Sequence, residues 1–410
     1  MRFRATIAAV GELPPLSQSA LAIPQSVFAE LAPRIEAHAR TGADLVGLHI
    51  GDTYRSPPGN ASFARVAAED DEELYKYGPV VGLEALREAF AARLRARGHG
   101  PPSVEGERNV VVACGGTHAL FCGARAILEP GDEVLVASPY WPLSVGVLRA
   151  AGAIPVEVPL TARLYADPAL DPAAVLSACV TPRTRALYIT TPNNPDGKVL
   201  SAPQLEAIAR FALATGIWVI ADEVYADYVY DGEHRSIARC DGMSERTVSV
   251  YSLSKSHGLA GARIGFLVAP ERVTRVARRV ATHTVFHVPL AAQRVGLVAA
   301  SGDDSWIDDA RRDYHETRDS MVRAFDGAGV RITAPQGGSY VFIDFAPLLG
   351  GRRLKELLER CIDRGVLLAP GEAFGAPFAS WARLCFTSVA RARLLEGVAR
   401  LREAMRDLSR

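Results

Sequence analysis

Short runs of β-branched and apolar residues, separated by segments with helical periodicity, constrain the fold of this 410-residue chain more than any other feature. The strand-like runs are residues 110–113, 134–137, 186–190, 217–221, 247–251 and 265–268. Between them, apolar residues recur as on one face of a helix, for example over 84–97 and 204–214. This alternation predicts an α/β fold whose mainly parallel, mixed sheet is covered by helices.

The pattern changes after Arg311. Long charged segments with helical periodicity cover residues 311–326, 352–364 and 391–408, and short strand-like runs lie near 340–344, 366–369 and 383–387. Strands and helices mixed in this way predict a second, smaller α+β unit.

Lys255 has the most informative surroundings of any single residue. It follows the run 247–251 directly, at the sheet edge where open α/β folds bind ligands. Nearby Ser252, Ser254 and Arg263 offer hydroxyl donors and a planar guanidinium, which suit the oxygens of a phosphate. A lysine placed in this way is typical of one that forms a Schiff base with a carbonyl cofactor. The alternative is a polar loop with a solvated lysine and a surface arginine.

A second candidate phosphate site follows the run 110–113. Gly115 and Gly116 lead into Thr117, which opens an apolar stretch typical of a helix start. Free backbone N–H groups at a helix N-terminus, together with the Thr117 hydroxyl, suit a dianion, and glycine lets the backbone approach it closely. A purely steric role for the glycine pair is the alternative.

Two more strand-like runs end in polar side chains. Asn194 lies in a loop that flanking prolines make rigid, after the run 186–190. Asp222 ends the apolar run 217–221, where a buried carboxylate is costly unless it meets a cation such as a protonated pyridine nitrogen. Tyr225, three residues later, would reach the same ring. The alternatives are an ordinary Asn-Pro turn and a capping or ion-pair role for Asp222.

In their order and spacing, these four segments resemble the class I/II aminotransferases, the fold-type-I pyridoxal-phosphate enzymes related to aspartate aminotransferase. The resemblance extends from about Gly51 to about Ser388. It implies the fold of the pyridoxal-phosphate-dependent transferases and pyridoxal 5′-phosphate as the cofactor. It also implies a Schiff base on Lys255, which would shuttle the substrate proton as well. A large cofactor-binding domain over 51–305 and a small C-terminal domain over 306–410 are expected, with residues 1–50 forming an N-terminal arm and part of the small domain.

The resemblance further implies how the cofactor is held. Asp222 would pair with the pyridine nitrogen, while Tyr225 and Asn194 would hydrogen-bond the phenolic oxygen. Trp141 matches the aromatic residue that lies on the ring, with the adjacent Tyr140 as a substitute. The phosphate would be held by the residues of the two candidate phosphate sites, namely Gly115, Gly116, Thr117, Ser252, Ser254 and Arg263.

Substrate and subunit contacts are implied at other positions. Arg383 matches the arginine that grips the substrate α-carboxylate, a task that suits a bidentate guanidinium. Gly51 and Asn194 match substrate contacts. Tyr77 matches a tyrosine that reaches the phosphate of the neighbouring subunit, which implies a homodimer with shared active sites. Some aspartate-specific relatives carry a lysine for a distal carboxylate where this chain has Thr117, which argues against a dicarboxylic substrate.

The expected reaction is therefore the transfer of an amino group between an L-amino acid and a 2-oxo acid. Lyases, decarboxylases and cyclases use the same lysine and aspartate, so they remain alternatives, as does a cofactor-binding regulatory protein. No role is assigned to five polar residues that are candidates for lining the pocket, Tyr54, Arg55, His118, His283 and His287.

Charge and cysteine usage bear on partners and compartment. With 46 basic and 46 acidic residues, the formal charge is zero and gives no reason to expect nucleic acid or an anionic membrane as a partner. The six cysteines lack the paired spacing of a zinc site or a disulfide framework, so no metal is expected and a reducing cytoplasm fits. The apolar run within residues 1–10 is too short for a signal peptide, and no membrane helix is expected.

Overall fold

A computed structural model describes residues 15–69 and 71–408, and its central seven-stranded sheet confirms the predicted α/β fold. The strands are β1 (Val46–Gly47), β2 (Val110–Cys114), β3 (Glu133–Ser138), β4 (Ile154–Pro159), β5 (Thr184–Thr190), β6 (Trp218–Asp222), β7 (Thr247–Ser252), β8 (Ile264–Val268), β9 (Arg331–Ile332), β10 (Tyr340–Asp344), β11 (Val366–Leu367), β12 (Ala369–Pro370) and β13 (Trp381–Cys385). The central sheet has the order β2-β8-β7-β6-β5-β3-β4. β8 is antiparallel to both neighbours and the other pairs are parallel, so the sheet is mixed and mainly parallel.

The α-helices cover both faces of this sheet and build the smaller unit. They are α1 (Gln18–Leu21), α2 (Ala32–Arg40), α3 (Phe63–Ala67), α4 (Glu84–Arg97), α5 (Gly106–Asn109), α6 (Gly115–Ile127), α7 (Pro142–Ala150), α8 (Thr161–Ala166), α9 (Pro172–Ser177), α10 (Ala202–Thr215), α11 (Leu253–Ser256), α12 (Glu271–Thr284), α13 (Leu290–Ser301), α14 (Ser305–Arg323), α15 (Ala346–Leu349), α16 (Leu354–Asp363) and α17 (Arg391–Leu408). Short 3-10 turns occur at Glu72–Tyr75, Ile237–Arg239, Ala260–Ala262, Gly371–Phe374 and Ala376–Phe378. In the described part of the chain, no helix is both long enough and apolar enough to cross a membrane.

The central strands are mostly apolar because both of their faces are buried. On one face, side chains such as Val111 and Val134 pack with α6, α7 and α12. On the other face, Val112 packs with α4 and α13, and Leu187 packs with α10. Helices therefore cover both sides of the sheet, apart from the half-exposed edge strand β4.

The register of the parallel strands places their polar ends side by side. Thr190 at the end of β5 is opposite Asp222 at the end of β6, which is in turn opposite Val250 near the end of β7. The loop carrying Asn194, the Asp222 carboxylate and the segment carrying Lys255 consequently leave the sheet at one edge.

The C-terminal part forms a second sheet with the order β12-β13-β10-β9, in which all the neighbouring strands are antiparallel. Apolar faces of α14, α16 and α17 pack in one core with this sheet. β1 pairs with β11 in parallel, so a segment near the N-terminus joins the C-terminal part. The boundaries 1–50, 51–305 and 306–410 stay a prediction, and residues 1–14 of the expected arm and signal-peptide assessment lie outside the described residues.

Three of the differences from the sequence-based prediction concern α14, β4 and α6. α14 begins at Ser305, six residues before the predicted start, because Ile307 and Ala310 already face the core. β4 was not predicted because it is a half-exposed edge strand with a proline at position 155, which lacks the continuous apolar run of the central strands. α6 begins at Gly115 and not at Thr117.

A close backbone contact explains the early start of α6. Gly115 has a φ of +75°, which glycine adopts without steric cost. Gly265 of β8 lies against this turn, and a Cβ atom at position 265 would be 2.3 Å from the carbonyl carbon of Gly115. The β2–α6 turn therefore requires glycine on the facing strand.

We predict that Gly265→Ala lowers the free energy of unfolding by about 1–3 kcal/mol, because the methyl group forces the β2–α6 turn away from β8. Urea titration of the two proteins measures the difference. Gly261→Ala is the matched control, since a Cβ at that position has no heavy atom within 4 Å. Equal stability of the two variants would contradict the proposed steric contact.

Candidate active site

The described residues form a cavity of about 520 Å³ at the carboxyl ends of the parallel strands, where the central sheet faces the second sheet. Both sheets contribute side chains to it. The lining residues are Ser26, Val27, Phe28, His49, Ile50, Gly51, Gly116, Thr117, Trp141, Pro142, Leu143, Asn194, Asp222, Val224, Tyr225, Ser252, Ser254, Lys255, Ala260, Arg263, Tyr340, Ala369, Phe374 and Arg383. Every site residue predicted from the sequence is among them, apart from Gly115 and Tyr77.

Lys255 lies in α11, the short helix that follows β7. The Ser252 hydroxyl caps this helix by accepting a hydrogen bond of 3.1 Å from the Ser254 N–H. The Lys255 ammonium donates a hydrogen bond to the carbonyl of Gly51. The predicted lysine and the predicted backbone contact at Gly51 are thus neighbours in the cavity, although 204 positions separate them in the chain.

The start of α6 and Arg263 form a cationic, N–H-rich corner of the cavity. Arg263 has a left-handed backbone with a φ of +56°, and its Nη1 donates to the carbonyl of Ala260 at 3.0 Å. A Cβ on Gly115 would lie 2.3 Å from Arg263 Nη2, so only glycine lets this guanidinium approach the helix start. With Thr117 beside it, the corner has the donors and the charge that a phosphate dianion requires.

Asp222 is a buried carboxylate that a bound cation would stabilise. Its Oδ2 accepts a hydrogen bond of 2.9 Å from the Tyr188 hydroxyl, and its Oδ1 accepts one of 3.3 Å from the Val224 N–H. Burial raises the pKa of Asp222 to about 6. No lysine, arginine or histidine among residues 15–69 and 71–408 forms an ion pair with it, so a protonated ring nitrogen of a bound cofactor fits this position.

A chain of hydrogen bonds connects Arg383 to Tyr225. Arg383 Nη1 donates to the Asn194 side-chain oxygen at 2.9 Å, and its Nη2 donates to the carbonyl of His49 at 2.6 Å. Asn194 Nδ2 in turn lies 3.5 Å from the Tyr225 hydroxyl. The buried Nε of Arg383 has no hydrogen-bond partner, so the guanidinium retains donors for an anionic ligand.

Trp141 and Tyr140 are distinguished by their positions. Trp141 precedes α7 and lines the cavity, whereas Tyr140 does not, and the Tyr140 N–H donates to the carbonyl of Phe374 at 3.0 Å. Trp141 is therefore the aromatic residue available to a bound ring.

Tyr77 lies away from the cavity, with 84% of its surface exposed. Its ring contacts Phe286 and His287, at centroid distances of 5.1 and 5.6 Å. Within one chain it therefore does not reach the phosphate corner, so its predicted role depends on a second subunit.

The five polar residues without an assigned role lie outside the cavity lining. Tyr54 and Arg55 both contact Asp313 of α14. His118 accepts a hydrogen bond from the Cys114 N–H at 3.2 Å, and His283 contacts the carbonyl of Arg279 in its own helix. The fifth residue is His287, which packs beside Tyr77.

Sequence reasoning missed several aromatic residues of the site. Tyr340 and Phe374 line the cavity, and Tyr188 contacts Asp222 from beneath. Tyr188 and Tyr340 lie in runs that the sequence identifies as strands, where an aromatic residue is read as core. Their roles come from strand pairing, which the sequence pattern does not show.

Comparison with known proteins assigns the chain to a family. The family model for aminotransferase class I and II matches residues 43–401. The arginine–pyruvate transaminase AruH of Pseudomonas aeruginosa is 33% identical over 382 residues, which make up 92% of each chain. The aspartate/prephenate aminotransferase of Thermus thermophilus is 34% identical over 357 residues, or 86% of this chain and 89% of the relative.

A solved structure gives the same answer. A double mutant of Thermus thermophilus aspartate aminotransferase has a TM-score of 0.86 and 30% identity, with 96% of this chain and 100% of that chain covered. The chain therefore belongs to the class I and II aminotransferases and is an aminotransferase of fold type I, as the resemblance of its motifs implied.

We predict that Asp222→Asn stabilises the cofactor-free protein at neutral pH but not at acidic pH. The pKa of Asp222 is about 6 in the folded protein, above its ordinary value of 3.8. Between these two pH values, the folded protein therefore holds a proton that the unfolded chain has already lost. The wild type therefore loses stability as the pH rises from about 4 to 6, and the variant does not. As the pH rises from 4 to 7.5, the free energy of unfolding of the variant should increase by about 3 kcal/mol relative to that of the wild type.

Urea titrations of both cofactor-free proteins across this pH range provide the measurement. A stability difference that does not change with pH would show that the Asp222 carboxylate is not held in an unfavourable environment.

Proposed function

We propose that the protein is a pyridoxal 5′-phosphate-dependent aminotransferase that moves an amino group between an L-amino acid and a 2-oxo acid. The observation that carries this proposal is the convergence of Lys255, Asp222 and Arg383 on one cavity. Lys255 and Asp222 come from the ends of β7 and β6, and Arg383 comes from the middle of β13 in the second sheet. An amine, a buried carboxylate and a partly unpaired guanidinium match the carbonyl, the ring nitrogen and the substrate carboxylate that this reaction brings together.

The cavity corner at the start of α6 would hold the cofactor phosphate. Gly115, Gly116 and Thr117 supply N–H and hydroxyl donors, and Arg263 supplies the compensating charge. Ser252 and Ser254 complete this site from the other side.

Trp141 would supply an aromatic surface for the cofactor ring. Asp222 would hold the ring nitrogen in its protonated form, and Tyr225 with Asn194 would hydrogen-bond the phenolic oxygen. When bound, pyridoxal phosphate supplies a carbonyl for the substrate amine and a ring that draws electron density from the substrate Cα.

The chain's own residues would then perform three tasks. Arg383 orients the substrate by its α-carboxylate, using the guanidinium donors that Asn194 and His49 leave free. Lys255 would remove the proton from the substrate Cα as a general base. Tyr225 would hydrogen-bond the cofactor and so fix its orientation in the cavity.

The proposed working unit is a homodimer. The rings of Tyr77 and Phe286 are in contact and are 84% and 43% exposed, and the neighbouring Val285 is 38% exposed. An exposed apolar patch of this kind is typical of an interface. In a two-fold dimer, the same surface is buried twice, and Tyr77 of each chain would reach the phosphate corner of the other.

The proposed partners are small molecules, an amino acid and a 2-oxo acid, and the proposed compartment is the cytoplasm. All six cysteines are free thiols, which suits a reducing compartment. Thr117 lines the cavity without adding a cation, which supports a preference for substrates other than dicarboxylic ones.

We predict that an amino acid alone converts the bound cofactor of the wild type to its amine form, and that a 2-oxo acid reverses the change. Lys255→Ala should abolish both conversions, because the variant lacks the base for the Cα proton. Absorbance spectra of the half-reactions measure this. The chain has four lysines, and Lys355→Ala, on the surface near Glu30, is the matched control that should react like wild type.

Two outcomes would contradict the proposal. In the first, borohydride reduction and mass spectrometry of the digest find the pyridoxyl group on Lys76, Lys198 or Lys355 instead of Lys255. Alternatively, stoichiometric release of ammonia or carbon dioxide would indicate a lyase or a decarboxylase.

We predict that mixing Lys255→Ala and Tyr77→Ala chains restores activity. In a mixed dimer, one site combines both defects, while the other site has Lys255 from one chain and Tyr77 from the other, and is therefore wild type. Doubly tagged heterodimers should have activity well above that of either parent homodimer in a steady-state assay. Heterodimers without recovery would show that Tyr77 acts within its own chain or has no role in the site.

A further inference from the structure

Tyr340 is buried in the cavity wall between the residues proposed to hold the cofactor and the residue proposed to hold the substrate. Only 2% of its surface is exposed. Its hydroxyl lies 2.9 Å from the Tyr225 hydroxyl, and its ring lies 4.3 Å from the central carbon of the Arg383 guanidinium. One side chain therefore contacts both halves of the site.

The hydroxyl end of Tyr340 also contacts the backbone of Gly51. A Cβ on Gly51 would lie 1.6 Å from the Tyr340 hydroxyl oxygen and 2.6 Å from Cζ of the ring. Tyr340 thus packs directly on the Gly51 backbone, and the Gly51 carbonyl accepts the hydrogen bond from Lys255. Any larger residue at position 51 would displace the Tyr340 hydroxyl from Tyr225.

Strand pairing fixes the ring under Arg383. Phe342 is opposite Arg383 in the antiparallel β10–β13 pair, so Tyr340, two residues away, projects from the same face of the sheet. The Tyr340–Arg383 contact is a diagonal cross-strand pair, and both residues are held by a backbone ladder and not by a loop. The guanidinium position therefore depends on the aromatic face beneath it.

Either the Tyr340 or the Tyr225 hydroxyl can donate the hydrogen bond between them. If Tyr340 donates to Tyr225, the Tyr225 proton is free for the phenolic oxygen of the cofactor. A hydroxyl that accepts one hydrogen bond is a stronger donor in the next, because such chains are cooperative in a buried site.

We propose that Tyr340 is a positioning residue with two separable roles, which rest on the proposed function. Its hydroxyl polarises and orients the Tyr225 phenol toward the cofactor. Its ring holds the Arg383 guanidinium in place for the substrate carboxylate.

Two substitutions separate these roles. Tyr340→Phe keeps the ring over Arg383 and removes the hydroxyl, so the absorbance of the bound cofactor should titrate at a pKa changed by about 0.3 unit or more. The KM for the amino acid should stay within about twofold of wild type, since the cation–π contact is retained. Tyr340→Met fills a similar volume without an aromatic face, and it should also raise the KM by about 3- to 30-fold.

Tyr165 provides matched controls in the same protein. Like Tyr340, it has a hydrogen-bonded hydroxyl and a ring beside a cation, since its hydroxyl donates to the Asp196 carbonyl and its ring lies 5.0 Å from the Lys198 ammonium. It does not line the cavity. Tyr165→Phe and Tyr165→Met should change neither the cofactor titration nor the KM, even where they lower stability. Tyr340→Leu replaces the Met variant if the latter does not fold.

The outcomes distinguish this inference from the proposed function. If the wild type neither binds pyridoxal phosphate nor performs the half-reaction with any amino acid, the proposed function fails. If the wild type does both, an unchanged titration in Tyr340→Phe overturns the role of the hydroxyl. An unchanged KM in the Met or Leu variant overturns the role of the ring.

Discussion

The alignment of parallel strand ends is the constraint on which the rest of the site depends. β5, β6 and β7 end in register, so the residues that follow them leave the sheet at one edge without any further arrangement. The apolar faces of these strands are buried under helices on both sides, and that burial fixes the register. A slip of one residue in β6 would turn the Asp222 side chain to the opposite face. The positions of the charged groups are thus set by hydrophobic packing, at a distance from the charges themselves.

The second sheet contributes an arginine, Arg383, to the cavity. Arg383 is engaged by Asn194 and by the His49 carbonyl, and its guanidinium lies against the ring of Tyr340. Asp222 forms no ion pair within the described residues, although the Lys255 charge opposes the effect of burial on its pKa. A ligand with a cationic ring and an anionic tail would therefore complement both Asp222 and Arg383.

The sequence was sufficient to predict the elements built from continuous patterns. The central strands and α4 could be read from apolar runs and helical periodicity, and Lys255, Asp222 and Arg383 could be placed because their motifs follow those runs. Tyr340 and Tyr188 could not be assigned in this way, because their contacts depend on which strands pair. β4 was not predicted because an edge strand needs only one buried face and tolerates proline. Tyr77 marks a different limit, since its proposed role requires a second chain.

The cavity rim is built differently from its floor. Val27, Phe28 and Ile50 belong to turns and bends outside the central sheet, and Ile50 is 58% exposed. Among the groups proposed for the chemistry, by contrast, Asp222 and Lys255 lie at or just after strand ends, and Arg383 lies within β13. Substitutions at the rim alter the shape offered to a substrate side chain without disturbing the register of any strand. The preference for a substrate side chain can therefore change through the rim while the floor keeps its architecture.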